Sequence, residues 1–260
     1  MKILMLTIFI MCNFAHAEPT TFDNEPLQLA KTSATKGAIA SVDLVPFFWF
    51  LNKKTNLQQR KSDPVSYSRS FISGVKAMPN VASTLSIQFF TGDLIKSIFK
   101  KKQAFDNEAY LEVIGCVSGA IFSAPWYAVM NGKTMKLSRA QALGEFCKRP
   151  FSAGWPIIAR ESCFLLGLQA SDPFSRAMKK QFGNNVYVEN TSCFASGFAG
   201  SIFGHLFDTI LTCKQAKIPW QWMGLMNGGM TKGIGIGCFA VALNHSMKLK
   251  KEYMSEFTYM

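Results

Sequence analysis

Gly204–Gln215 reads GHLFDTILTCKQ: a single carboxylate, Asp208, stands between two apolar runs, and the stretch ends in Lys214 and Gln215. An acid inside an apolar helix is expensive, so its surroundings decide what kind of chain this is. The same pattern occurs twice upstream. Each copy opens on small residues, Gly37-Ala38-Ile39-Ala40, Gly115-Cys116-Val117-Ser118-Gly119 and Gly197-Phe198-Ala199-Gly200, then reaches Pro46, Pro125 or Leu206 and turns polar. The steps from Pro46 to Pro125 and from Pro125 to Leu206 are 79 and 81 residues. A fixed period marks one supersecondary unit copied along the chain. Small residues let helices approach closely in lipid, and a proline kinks the helix that contains it. A second column keeps register: Lys96, Arg176 and Lys248 each follow Asn80, Arg160 and Lys232 by 16 residues.

Composition fits this pattern. The 260 residues are 48% hydrophobic with a formal net charge of +12, and the mean hydropathy is +0.11. Lys and Arg lie between apolar blocks and form no continuous basic stripe, which favours a membrane protein with basic loops and argues against a nucleic-acid binder. Apolar segments near 36–58, 71–99, 109–135, 151–180, 190–215 and 221–250 are long enough to cross a bilayer. Each carries scattered Ser, Thr, Gly, Gln or charge, as helices lining a polar cavity do. A soluble helical bundle is the alternative, and the heptad charge pairs that would favour it are scarce.

The opening MKILMLTIFIMCNFAHAEP has Lys2, an apolar run Ile3–Phe14 and Ala15-His16-Ala17 before Glu18. It reads as a secretory signal over 1–17, with an uncleaved anchor helix as the other reading, followed by a polar segment over 18–35. Cys116, Cys163, Cys193 and Cys238 fall in apolar segments without C-x-x-C spacing and read as small buried hydrophobes, so no metal site is expected. The chain has no G-x-S-x-G, P-loop or H-E-x-x-H, so neither an enzyme nor a cofactor is expected. GIGIG at 233–237 reads as close helix packing. His205 and His245 read as interfacial side chains near helix ends.

Over residues 36–250 the three copies resemble the mitochondrial carrier family, whose repeats carry P-x-[DE]-x-x-[KR] on odd-numbered helices. The resemblance implies an all-α membrane protein with six transmembrane helices in three tandem two-helix repeats (about 36–103, 108–183 and 190–250), related by pseudo-threefold symmetry and followed by a tail over 251–260. Asp208 stands at the acidic position of the third motif and Gln215 at its bracing glutamine, which makes both gate residues, and Pro46 and Pro125 are the kinks. In the family these acids pair with a basic residue of the neighbouring repeat and close the cavity at one end. Here the other motif positions hold Phe48 and Leu51, Tyr127 and Met130, and Leu206 and Leu211. No motif ion pair is expected from them, and an apolar plug of Phe48, Leu51, Tyr127 and Met130 is expected to close the cavity instead. Asp208 would then be a gate acid or a partly hydrated acid at a helix end. The repeats are also about 20 residues short, with the loss expected where the family has a short surface helix.

On the even-numbered helices the family pattern [FY]-[DE]-x-x-[KR] maps to Asp93 with Lys96, Asp172 with Arg176, and Asn244 with Lys248. Asp93 would pair with Arg176 or Lys248 as a second gate, or the lysines would snorkel to the interface. The family's solute contacts map to Asn80, Arg160 with Glu161, and Lys232. An Arg-Glu pair there resembles carriers of amino acids and carnitine-like zwitterions. Arg160 and Lys232 would hold a carboxylate and Glu161 an ammonium, unless Arg160 and Glu161 simply neutralise each other.

The resemblance thus implies carrier-like exchange of a small carboxylate-bearing solute by a monomer in a lipid bilayer. That bilayer would be a bacterial membrane, or a host mitochondrial inner membrane if the chain is a delivered effector. The alternatives are a non-transporting pseudo-carrier acting as a membrane interaction protein or bacterial effector, and an exported helical protein with no carrier function.

Overall fold

The computed structural model describes residues 25–58, 64–101, 108–134, 138–148, 150–216 and 228–258. The expected signal at 1–17 lies outside them, as do the side chains of Met130 and Gln215. The described residues are helical almost throughout and include no strand. The helices are α1 (Glu25–Leu44), α2 (Phe48–Gln58), α3 (Tyr67–Lys101), α4 (Glu108–Thr134), α5 (Arg139–Lys148), α6 (Pro150–Gln169), α7 (Ser171–Phe182), α8 (Val186–Ala216) and α9 (Gly229–Thr258).

Pro46 acts where expected: the chain passes from α1 to α2 through a 3-10 turn at Val45–Phe47, because proline offers no amide hydrogen to continue the ladder. Pro125 is accommodated inside α4, as Pro79 and Pro156 are inside α3 and α6. In the third copy Leu206 replaces proline, and α8 runs unbroken. Several hydroxyls scattered along these apolar helices are satisfied within their own helix. Thr84 donates to the Asn80 carbonyl at 2.7 Å, Ser192 to Val188 at 2.7 Å and Thr209 to His205 at 3.0 Å, which lets a polar residue sit in an apolar run at little cost.

Several expectations are corrected. α1 begins at Glu25, inside the segment read as polar, and α9 continues through the expected tail to Thr258. The segment expected as one span over 151–180 breaks at Ala170 into α6 and α7. A short helix, α5, follows α4 in the second repeat, where its loss was expected.

Packing runs from each long helix to the next, α1 to α3, α3 to α4, α4 to α6, α6 to α8 and α8 to α9, and α9 returns to α1 and α2. The six thus form a closed ring. Backbones come close where glycines face each other: a side chain at Gly200 of α8 would meet the Cys163 carbonyl oxygen and Gly167 Cα of α6 at 2.6 Å. The GIGIG run packs as read, with Gly233, Gly235 and Gly237 against the rings of Phe198, Phe50 and Phe194. Gly200→Leu is expected to cost about 3 kcal/mol, because the α6–α8 contact must open to admit the side chain. A thermal-denaturation midpoint equal to that of the wild type would show that this contact is not tight.

Polar and apolar side chains are mixed between the interior and the surface. Large apolar side chains are exposed on the ring's outside, among them Phe71, Ile121, Phe122, Trp126, Phe203 and Ile234. Inside are Gln88, Glu161, His205, Asp208, Lys54 and Lys232, each at most 8% exposed. Ionisable groups are rarely buried so completely unless they are paired. Among the described residues two helical stretches, Pro26–Gln58 and Glu108–Val129, are long and apolar enough by themselves to cross a membrane.

Candidate functional site

Asp208 projects from α8 into the centre of the ring and is 4% exposed. Its Oδ2 accepts from Lys54 Nζ at 2.7 Å and from Lys232 Nζ at 3.1 Å, and its Oδ1 from Arg160 Nη1 at 3.3 Å. Three helices, α2, α9 and α6, thus deliver a cation to one carboxylate. The partly hydrated acid at a helix end is ruled out, and the first repeat supplies Asp208 with a basic partner, Lys54, from outside the motif positions. That lysine lies one helical turn beyond Leu51, the position where the motif places its cation. α9 reaches the site because Gly228, at φ +79°, starts the helix against the Lys54 backbone. A left-handed residue is easiest for glycine, and Lys232 follows it by one turn.

The cluster extends through Arg160. Its Nε donates to Glu161 Oε1 at 2.7 Å, and the guanidinium lies 5.0 Å from the centre of the Tyr127 ring. Glu161 Oε2 accepts from Gln88 Nε2 at 3.1 Å, and the same amide approaches Ser123 Oγ at 3.0 Å. Gln58, one turn beyond Lys54, braces α2 on α8: it donates to Thr209 at 2.8 Å and accepts from Thr212 at 3.2 Å. Lys54, Arg160 and Lys232 face Asp208 and Glu161, so the cluster carries one positive charge in excess.

The expected solute residues therefore meet in part. Arg160, Glu161 and Lys232 come together, whereas Asn80 stays outside their hydrogen-bonded cluster. Arg160 and Glu161 do pair with each other, and Arg160 is also shared with Asp208. The expected apolar plug does not form as one unit: Phe48 and Leu51 pack on the core around Leu85, Ile236 and Phe239, while Tyr127 packs with Ala124, Ile157 and Leu211. His205 is fully buried beside Thr209, not interfacial, because α8 places it under the start of α9. His245 is exposed and faces Asn190 Oδ1 at 2.9 Å.

At the ring's other end a cavity of about 650 Å³ is lined by charged groups of α1, α7, α8 and α9, including Lys36, Arg176, Lys179, Glu189, Lys248 and Lys251. Its lining includes Leu168 and Ala240, each eight residues from Arg160 and Lys232, or about 12 Å along the helix. Phe164 and Phe239 stack between, ring centres 6.3 Å apart, so an apolar layer separates the cavity from the cluster.

The expected pairing at this end is corrected. Asp93 meets Lys36 Nζ at 3.3 Å and Lys96 Nζ at 2.9 Å, not Arg176 or Lys248, and Lys96 also reaches Glu112 at 3.2 Å. Lys248 pairs with Glu189, which also accepts from Lys179 Nζ and Asn244 Nδ2 at 2.6 Å. Arg176 lines the cavity. Two acids on odd-numbered positions of the ring, Glu112 and Glu189, thus take partners that the motif would assign elsewhere.

No family model matches the chain, and no curated protein matches it either.

Lys54, Gln58 and Gln88 went unrecognised in the sequence. A lysine and a glutamine four residues apart, one and two turns past the kink motif, were the available signal for the first two. Gln88 has none, since a glutamine in an apolar helix looks the same whether it bridges helices or meets lipid headgroups.

Proposed function

We propose that the chain is a carrier-like transmembrane protein that exchanges a small carboxylate-bearing solute, an amino acid or carnitine-like zwitterion. The observation that supports this reading is the buried ion cluster of Lys54, Arg160, Glu161, Asp208 and Lys232, with one positive charge in excess, at the centre of a helical ring with apolar side chains outside. Polar groups inside and apolar groups outside suit a bilayer, where intramembrane charges line pathways and pair with one another. The three-copy spacing, the ring closure and the Asp208–Lys54 pair between third and first repeats support six spans with pseudo-threefold symmetry. The cavity is then the open entrance and the cluster the closed end. An excess cation recognises a carboxylate, and Arg160 offers it a planar fork. Glu161 meets the ammonium of a zwitterion once Arg160 turns to the carboxylate.

The non-transporting reading has one specific support. Two of the three motif acids are replaced by Phe48 and Tyr127, which leaves Asp208 as the sole motif acid to reverse when the closed end opens. Reconstitution separates the two readings: liposomes containing the purified protein are preloaded and offered labelled amino acids, carnitine, keto acids and nucleotides. Zwitterions are expected to exchange best, with Glu161→Gln shifting preference toward simple anions. Absence of exchange together with absence of ligand-induced thermal stabilisation would leave the interaction protein.

A further inference from the structure

We infer that Asp208 is a tethered competitor for the solute's carboxylate: it occupies the cations that would bind the solute, and the arriving carboxylate displaces it. The inference rests on the carrier reading of the cluster and adds to it the residue that couples occupancy to closure.

The geometry supplies the argument. Arg160 and Lys232 are the two cations assigned to the solute, yet both are already within ion-pair distance of a carboxylate, at 3.3 Å and 3.1 Å. That carboxylate is Asp208, which also holds Lys54 at 2.7 Å on the same oxygen as Lys232. Its two oxygens thus reach Nη1 of Arg160 and the ammonium of Lys232, the cations a bound solute would need. Asp208 is fixed to α8 and Lys54 to α2, so their pair ties the third repeat to the first. Glu161 cannot substitute, because Oε1 is taken by Arg160 Nε and Oε2 by Gln88.

Displacement has a charge balance and a mechanical result. With one cation in excess, the cluster accepts one further carboxylate and becomes neutral, so Asp208 need not leave the interior. It keeps Lys54 and loses Arg160 and Lys232. The tie between repeats then rests on one ion pair where it had the support of three cations, and the closed end is easier to open. Solute binding loosens the end it must leave by, while the empty protein stays shut. A ligand shifts such an equilibrium only through a difference in contacts between the two states, and the shared cations are that difference.

The test is equilibrium binding of propionate, with the neutral isostere propionamide as control, to the purified full chain in detergent by titration calorimetry. Removing the competitor in Asp208→Asn is expected to tighten propionate binding about tenfold or more, because the site is no longer self-occupied for most of the time. Propionamide binding is expected to stay unchanged. Asp208→Asn raises the excess charge to two, so the double variant Lys54→Met/Asp208→Asn, which restores an excess of one, guards against a folding defect and is expected to bind as tightly. Lys54→Met alone leaves Asp208 wholly to Arg160 and Lys232 and is expected to weaken propionate binding several-fold. A merely structural role predicts that all three variants weaken it.

Unchanged or weaker binding in both Asp208 variants overturns the inference, as does absence of propionate binding in every variant. Liposome exchange by the wild type decides the carrier reading separately. Exchange without tightening in the Asp208 variants removes the competitor and keeps the carrier; tightening without exchange keeps the competitor and removes the carrier.

Discussion

Arg160→Ala is expected to lower solute exchange in liposomes about a hundredfold and to destabilise the protein by roughly 3–5 kcal/mol. Both effects follow from where the guanidinium sits. It donates to Glu161 at 2.7 Å and to Asp208 at 3.3 Å, with 12% of the side chain exposed. Removing one member of a buried ion cluster leaves the others uncompensated, which costs more than the pair itself contributes. Exchange falls further than stability alone dictates, because a solute carboxylate loses its bidentate partner. Two companion variants separate the effects. Arg160→Lys keeps the charge without the fork and is expected to recover stability better than exchange. Replacing Arg160 by methionine and Glu161 by glutamine together removes the charge pair and is expected to be far milder on stability while exchange stays lost. If the double replacement exchanges as the wild type does, Arg160 has no part in solute recognition.

Glu189→Ala is expected to destabilise the open end by about 2–3 kcal/mol, the second largest effect. Glu189 takes Lys179 and Asn244 at 2.6 Å and also pairs with Lys248, which joins α7, α8 and α9. Its loss leaves both lysines beside Lys36, Arg176 and Lys251, a cavity wall of one sign apart from Asp172. Most of the cost comes from Lys179 and Asn244. Lys248 is 48% exposed, and solvent screens such a pair to well under 1 kcal/mol. Lys248→Ala alone is therefore expected to be nearly neutral, and Glu189→Gln to recover about half the loss by retaining Asn244 as a partner. The thermal-denaturation midpoint reads all three. Equal losses for Glu189→Ala and Lys248→Ala would mean that the three-helix junction contributes nothing beyond one surface pair.

What the sequence revealed and concealed divides along one physical line. The ends of α1 and α9 and the break at Ala170 went unread, but features set by one residue's own chemistry were legible: the 3-10 turn falls on Pro46, α8 runs unbroken where Leu206 replaces proline, and the 233–237 glycines meet aromatic rings. Partners across the ring were not. Lys54 and Asp208 are 154 residues apart, and their meeting depends on how α1 and α2 turn at Val45–Phe47, which shifts the inward face by one helical turn from Leu51 to Lys54. The same shift sends Phe48 and Leu51 to the packed core and dissolves the expected plug. His205 was misplaced for a related reason, because a histidine eleven residues from the end of α8 looks interfacial until α9 is seen to cover it. Arg160 and Glu161 stood out because two opposite charges in WPIIARESCF are conspicuous. That Arg160 also serves Asp208 is a property of three helices together.

If the chain carries solute as proposed, the excess charge also bears on leakage. A protein that opens a route through an energised membrane has to refuse the small inorganic cations crowding against it, whatever solute it passes. Here a fixed unit of positive charge lies about 12 Å along the helices from Leu168 and Ala240, taken as the floor of the proposed entrance. At an effective dielectric constant near 20, that charge repels a monovalent cation at the floor by roughly 1.4 kcal/mol, about a tenfold drop in local occupancy. The stacked rings of Phe164 and Phe239 then meet whatever cation remains with a layer in which it would have to shed its water. On that reading sodium and potassium would be turned back twice, first by potential and then by dehydration, while an anion would be drawn by the first barrier and confront only the second.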